Sequence, residues 1–265
     1  MKKTLFYGGL VVSFLFVLCL PLAAETTSTH SEDLFSQGLY EEAIAAYEVE
    51  LEMADDPVLI YNNIATVYYL IGDIEQAIHY FQLAAELAED GEPDFAIPWI
   101  NLAMLYELAG DLDATEESYL KATASTEPMV ALNGYLGSAM VLFAKEDPHG
   151  AIEKLKESLA RIEGETHPTY QEIRNEVYYT LGYVYASIWE TEAALNAFAA
   201  ATQTEPESPV PWMYLGAFLE DTGMYEQALL AYQEVLTRDS DDLEDMTLAQ
   251  EMYDSLYAKL ETASS

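Results

Sequence analysis

The chain has 265 residues, 51% of them hydrophobic, and sets 47 acidic side chains against 10 basic ones for a formal net charge of −37. That length can bury a large apolar surface, while a charge so negative excludes nucleic acid and anionic membranes as electrostatically held partners. The acidity itself reads in two ways: a solvated, self-repelling surface, which is the usual fate of charge runs, or attraction for a basic partner.

Residues 1–24 carry the marks of a secretory signal. Lys2 and Lys3 give a positive start, residues 5–20 are mostly apolar, and Pro21-Leu22-Ala23-Ala24 ends in small residues suited to cleavage before Glu25. The apolar run is about 16 residues, short of the roughly 20 that span a bilayer. Cleavage and a periplasmic or secreted chain are therefore expected, with an uncleaved inner-membrane anchor as the alternative. Phe16-Val17-Leu18 before Cys19 fit a lipoprotein signal poorly. Because Cys19 is the one cysteine, no disulfide or thiolate metal site is expected after cleavage.

Residues 25–33 form a polar lead-in. Residues 34–57 keep Gly38-Leu39-Tyr40, Ala43, Ile44 and Tyr47 but have few apolar positions before Leu34, so the first helix of this unit is expected to be truncated. A fuller unit, 58–95, has Tyr61, Ile64, Ala65, Tyr68, Gly72, Ala77, Phe81 and Ala84; Glu92-Pro93-Asp94 lengthens its exit. Residues 96–131 repeat the spacing with Trp99, Leu102, Ala103, Tyr106, Gly110, Tyr119, Ala122 and Pro128, and with Thr115 in an alanine place. The next unit, 132–174, is the most divergent. It keeps Tyr135, Ala139, Leu142, Ala151, Ile152 and Leu155, but Asp147-Pro148 stands for the usual glycine turn, and residues 164–168 read as a long connection. Insertion in a loop is well tolerated, so loop drift is the favoured reading there.

Residues 175–208 hold Tyr178, Leu181, Gly182, Tyr185, Ala194, Phe198, Ala201 and Pro206; residues 209–240 hold Trp212, Leu215, Gly216, Leu219, Ala228, Tyr232 and Val235 at a spacing of 34. Trp189 takes the turn position that favours glycine. Residues 241–265 open on an acidic run around Asp241, Asp242, Glu244 and Asp245, which suits a helix N-terminus and lacks the central Gly and closing Glu of a calcium loop. Leu243, Met246, Met252, Leu256 and Leu260 then form an apolar stripe that should cover the last repeat.

The recurring aromatic, Leu-Gly, Tyr, Ala, aromatic order resembles the tetratricopeptide-repeat superfamily over roughly residues 34–240. The resemblance implies an all-α fold: a right-handed α-solenoid of about six helix pairs with a C-terminal capping helix. It implies a non-enzymatic interaction scaffold, here of the cell envelope, that binds a protein or peptide segment along a concave face of first helices. Transferred position by position, that face includes Tyr69, Ile100, Met104, Leu136, Met140, Phe143, Tyr179, Tyr183 and Met213. None of the transferred positions is Lys or Arg, which argues against the family's clamp for terminal carboxylates and for an apolar or amphipathic segment. Asn63 and Asn101 stand where some relatives hydrogen-bond a peptide backbone.

No metal, cofactor or catalytic residue is expected. There is no His-Glu-x-x-His, phosphate loop or Gly-x-Ser-x-Gly, and His30, His79, His149 and His167 are isolated, the last two in turns. Two alternatives remain: a self-associating structural protein, in which the apolar face meets another copy, and a periplasmic chaperone whose acidic surface holds basic clients.

Overall fold

The computed structural model describes residues 29–89, 96–237 and 243–264. The leader at 1–24, the loop Glu92-Pro93-Asp94 and most of the acidic run near Asp241 lie outside the described residues. Within them are thirteen α-helices and no strand: α1 (His30–Ser36), α2 (Tyr40–Leu51), α3 (Val58–Leu70), α4 (Ile74–Glu89), α5 (Ile97–Ala109), α6 (Leu112–Ala122), α7 (Pro128–Ala144), α8 (Pro148–Arg161), α9 (Pro168–Ser187), α10 (Thr191–Thr204), α11 (Pro209–Asp221), α12 (Tyr225–Leu236) and α13 (Leu243–Ser264). The chain divides into two compact units at Gly134 and Tyr135.

The turns inside the pairs share one design. A residue with left-handed backbone ends the first helix, and the next residue opens the second. Gly38, Gly72, Gly110 and Gly223 supply this conformation without a Cβ penalty; Glu146 (φ 64°) and Trp189 (φ 64°) adopt it at a cost. Asp147-Pro148 thus does not stand for the glycine: Glu146 does. Asp147 caps α8, its Oδ1 accepting from Gly150 N at 3.0 Å, and Pro148 begins the helix. His149 accordingly lies in the first turn of α8, not in the connection. Asp73 and Asp111 make the same cap, accepting from Gln76 N at 3.2 Å and Ala114 N at 3.1 Å.

In the first unit, α1 is a seven-residue helix started at His30 by a capping box between Thr29 and Glu32. Ala43, Ile44, Tyr47, Ile64 and Val67 join α2 to α3. Ala65, Ala77, Phe81, Ala85, Leu102 and Leu105 join α3, α4 and α5.

In the second unit the small residues have a measurable purpose. A Cβ on Gly182 of α9 would sit 2.6 Å from the Phe198 ring of α10, and one on Gly216 of α11 would sit 2.5 Å from the Tyr232 ring of α12. The helices therefore approach within ring thickness, and both rings are fully buried, each contributing about 2–3 kcal/mol of apolar burial. The α13 stripe covers the end of this core: Leu256 is buried, and Met252, Tyr253 and Leu260 pack on Leu219, Ala228, Ala231 and Tyr232.

The extra length before Asn175 is mostly helix rather than loop. Helix α9 begins at Pro168 behind a His167 cap and runs 20 residues. Its added turns are anchored by buried Ile173 and by Arg174, which donates to the carbonyls of Ile162 (2.8 Å) and Glu165 (3.1 Å).

Two stability effects follow. Trp189 is 86% exposed and packs on little, so Trp189→Gly should relieve backbone strain and raise stability by about 0.5–1 kcal/mol in urea denaturation. Gly182→Ala should cost about 1–3 kcal/mol by overpacking against Phe198, more than the roughly 1 kcal/mol that alanine gains over glycine within a helix.

Candidate functional site

On α9, Glu176, Tyr179 and Tyr183 fall at i, i+3 and i+7 and share one helix face. The Tyr179 ring stacks on Tyr214 of α11, with centroids 5.3 Å apart and planes at 4°. Tyr214 in turn lies parallel to Phe198 at 6.5 Å, which tilts against Phe218 at 5.5 Å. Beside Tyr183, Phe143 of α7 meets the ring edge-on at 5.4 Å and 68°. Such pairs are worth about 0.5–1.5 kcal/mol each beyond their buried area, so the strip is a fixed surface rather than a set of loose side chains.

The anticipated groove residues separate by unit and by burial. In the first unit, Tyr69 is half-buried against the Ala65–Phe81 core, and Ile100 and Met104 are half-buried on α5. In the second, Met140, Phe143, Tyr179 and Met213 are half-buried. Leu136 (3% exposed) and Tyr183 (7%) are core side chains with little surface to offer a ligand. Tyr214 was not among the anticipated residues, yet it carries the stack. Its position 35 residues after Tyr179, close to one repeat length, is the signal that could have found it.

The asparagines face inward. Asn101 donates its Nδ2 to Asn62 Oδ1 at 3.0 Å, tying α5 to α3, and both are buried. Asn63 is buried beside the Tyr47 hydroxyl of α2. These amides are used within the fold.

Glu176 is the distinctive charged group of the strip. It is half-buried, and no hydrogen bond or ion pair holds its carboxyl; desolvation pushes that carboxyl up to about 7. Burial also raises the Tyr179 hydroxyl, with the Glu176 charge adding to it. Desolvation raises Asp221 at the end of α11, helped by neighbouring Glu220, and raises Glu107 on α5.

A pocket of about 470 Å³ opens at the α8–α9 connection, lined by Leu159, Glu163, Glu165, Thr166, Arg174 and Tyr178 among others. Its one guanidinium is already engaged by backbone carbonyls and by Gln171 Oε1 at 2.8 Å, which gives the pocket a structural role. Among the described residues, no group of three or more His, Cys, Asp and Glu side chains is placed to hold a metal ion, and no helix is long and apolar enough to cross a membrane. His79 is exposed and meets Tyr80 edge-on; His167 accepts from Thr169 N as a helix cap.

Comparison with known proteins agrees with this architecture. Two sequence models described as Tetratricopeptide repeat match residues 56–127 and 179–242. The TPR repeat-containing protein MJ1428 of Methanocaldococcus jannaschii is 25% identical over 210 residues, covering 74% of this chain and 34% of that protein. The chain thus spans about a third of the length of this relative. Among solved structures, BtubC (BKLC) from P. vanneervenii superposes with a TM-score of 0.62 at 18% identity, covering 78% of this chain and 90% of that one. YrrB, described as a TPR protein with an unusual peptide-binding site, gives 0.52 at 19% identity, covering 77% and 98%. At these identities the structural likeness is one of fold.

The raised Glu176 carboxyl has a testable consequence for stability. A folded-state value above the unfolded one favours folding at low pH, and that contribution is lost as pH rises through about 7. Glu176→Gln should therefore match the parent near pH 4 and exceed it at pH 8, by on the order of 1–3 kcal/mol in urea denaturation.

Proposed function

Because this chain belongs to the tetratricopeptide-repeat superfamily, whose helix pairs serve as protein–protein interaction scaffolds, we propose that it is a non-enzymatic scaffold of the cell envelope that binds an apolar or amphipathic segment of a partner protein. The observation that carries this reading is the α9–α11 strip: the stacked Tyr179 and Tyr214, with Met213 beside Tyr214 in the sequence of α11, are half-buried yet retain accessible surface. Aromatic and Met side chains are the residues from which adaptable, high-energy contact surfaces are built. The peptide-binding site in the description of YrrB supports the same class of ligand by analogy.

Export is part of the proposal, supported by the sequence of residues 1–24. Self-association is the weaker reading, because two copies each carrying −37 repel strongly.

The test is affinity capture from envelope extract by the chain lacking residues 1–24, in about 0.5 M salt to screen general charge attraction. A partner retained by the parent and by the turn variant Trp189→Gly, and lost with Met213→Glu, is the expected result. A partner retained equally by Met213→Glu, or released by salt from every variant, would refute apolar binding on this face.

A further inference from the structure

We propose that the segment bound on the α9–α11 face is cationic at a defined point: a Lys or Arg side chain of an amphipathic partner seats at Glu176, against the stacked rings of Tyr179 and Tyr214. This inference rests on the binding reading above and names the chemistry of the ligand.

The first observation is a carboxylate in a desolvated place without a countercharge. Glu176 has no hydrogen bond and no ion pair with any described residue, and burial alone accounts for its raised value. Four described cations of the same unit are held by other groups. Arg174, two residues earlier and so on another face of α9, is bound to the carbonyls of Ile162 and Glu165. Lys154 pairs with Glu157 at 2.8 Å, Lys259 with Glu220 at 2.9 Å, and Lys156 lies over the Tyr185 ring. The electrostatic neighbours of the site add no positive charge: Tyr179 senses Glu176 and Tyr214, and Asp221 at the far end of α11 is itself beside Glu220.

The second observation is the aromatic wall. The Tyr179 and Tyr214 rings, parallel at 5.3 Å and each half-buried, lie beside the Glu176 carboxylate, a combination of charge and aromatic surface suited to an ammonium or guanidinium. Helix pairs of this chain already accommodate such contacts, with Lys121 at 5.4 Å from the Trp99 centroid and Lys156 at 5.8 Å from Tyr185.

Charge complementarity then chooses the occupant. An acidic or neutral segment would cover Glu176 and either leave its charge unpaired or force it to take up a proton, and both are unfavourable at pH 8. A second copy brings net charge −37, with 10 basic side chains against 47 acidic ones. A basic amphipathic segment satisfies the carboxylate and the apolar strip together.

The probes are three short amphipathic helical peptides with one apolar face and with Lys, Gln or Glu on the polar face. Binding to the chain lacking residues 1–24 is followed by fluorescence anisotropy at pH 8 in about 0.5 M salt. The Lys peptide is expected to bind about tenfold or more tighter than the Gln peptide. Glu176→Gln, which keeps the side chain's shape and removes a buried charge, should shrink that gap to about twofold. Glu190→Gln, at an exposed turn, should leave it intact. Equal binding of the Lys and Gln peptides to the parent, or a gap that survives Glu176→Gln, overturns the cation subsite. If in that case Met213→Glu still weakens all peptides alike, the apolar face stands without the subsite. If no peptide binds at about 1 mM, both the subsite and the apolar face are refuted.

Discussion

The close approach of paired helices is the constraint on which the rest of this structure depends. At Gly182 and Gly216 there is no room for a single carbon between helix backbone and opposing ring. Phe198 and Tyr232 are therefore clamped and fully buried, and the helices that carry them cannot slide. In the first unit, Ala65 lies in one core with Phe81. Fixing each pair fixes where its first helix ends, and hence the turn whose left-handed residue is Gly in four pairs and Glu146 or Trp189 in two. It also fixes the spacing of α9 and α11, which lets Tyr179 and Tyr214 stack at 5.3 Å. The surface proposed for binding is thus a by-product of how repeats pack, made specific by the side chains placed on it.

Charge acts on this scaffold in a different way. With 47 acidic residues and few cations, most carboxylates are solvated and contribute long-range repulsion that salt screens. Glu176 differs because it is partly removed from water without compensation. A protein seldom keeps an uncompensated carboxylate among aromatic rings for stability's sake, and sites of this kind are where perturbed acids and ligands are found together. The surface ion pairs that do form, such as Lys154 with Glu157, are exposed and contribute little.

Much of the fold was legible because the repeat writes its packing in short-range patterns. Tyr178, Leu181, Gly182 and Phe198 recur one period later as Trp212, Leu215, Gly216 and Tyr232, and the small-against-large rule is visible without coordinates. The capping role of α13 was equally legible from the spacing of Met252, Leu256 and Leu260. The extension of α9 back to Pro168 was hidden, because a proline and polar residues suit a loop as well as a helix start; the anchor is Arg174 reaching across to two carbonyls. Leu136 and Tyr183 fit the family's groove positions, but both side chains are buried. Glu176 was obscured by its abundance class: in a chain this acidic, composition gives no reason to single out one carboxylate. Asn63 and Asn101 show the same limit, since their environment, and not their position in the repeat, turns them inward.

Amide hydrogen exchange on Gly216→Ala beside the parent tests most directly whether helix contact at the glycine holds the face together. Faster exchange is expected in α11 and α12, spreading to the Tyr179 turn of α9 and to α13, because these elements share one packed surface. Unchanged protection in α11 and α12, with the alanine simply accommodated beside Tyr232, would contradict it.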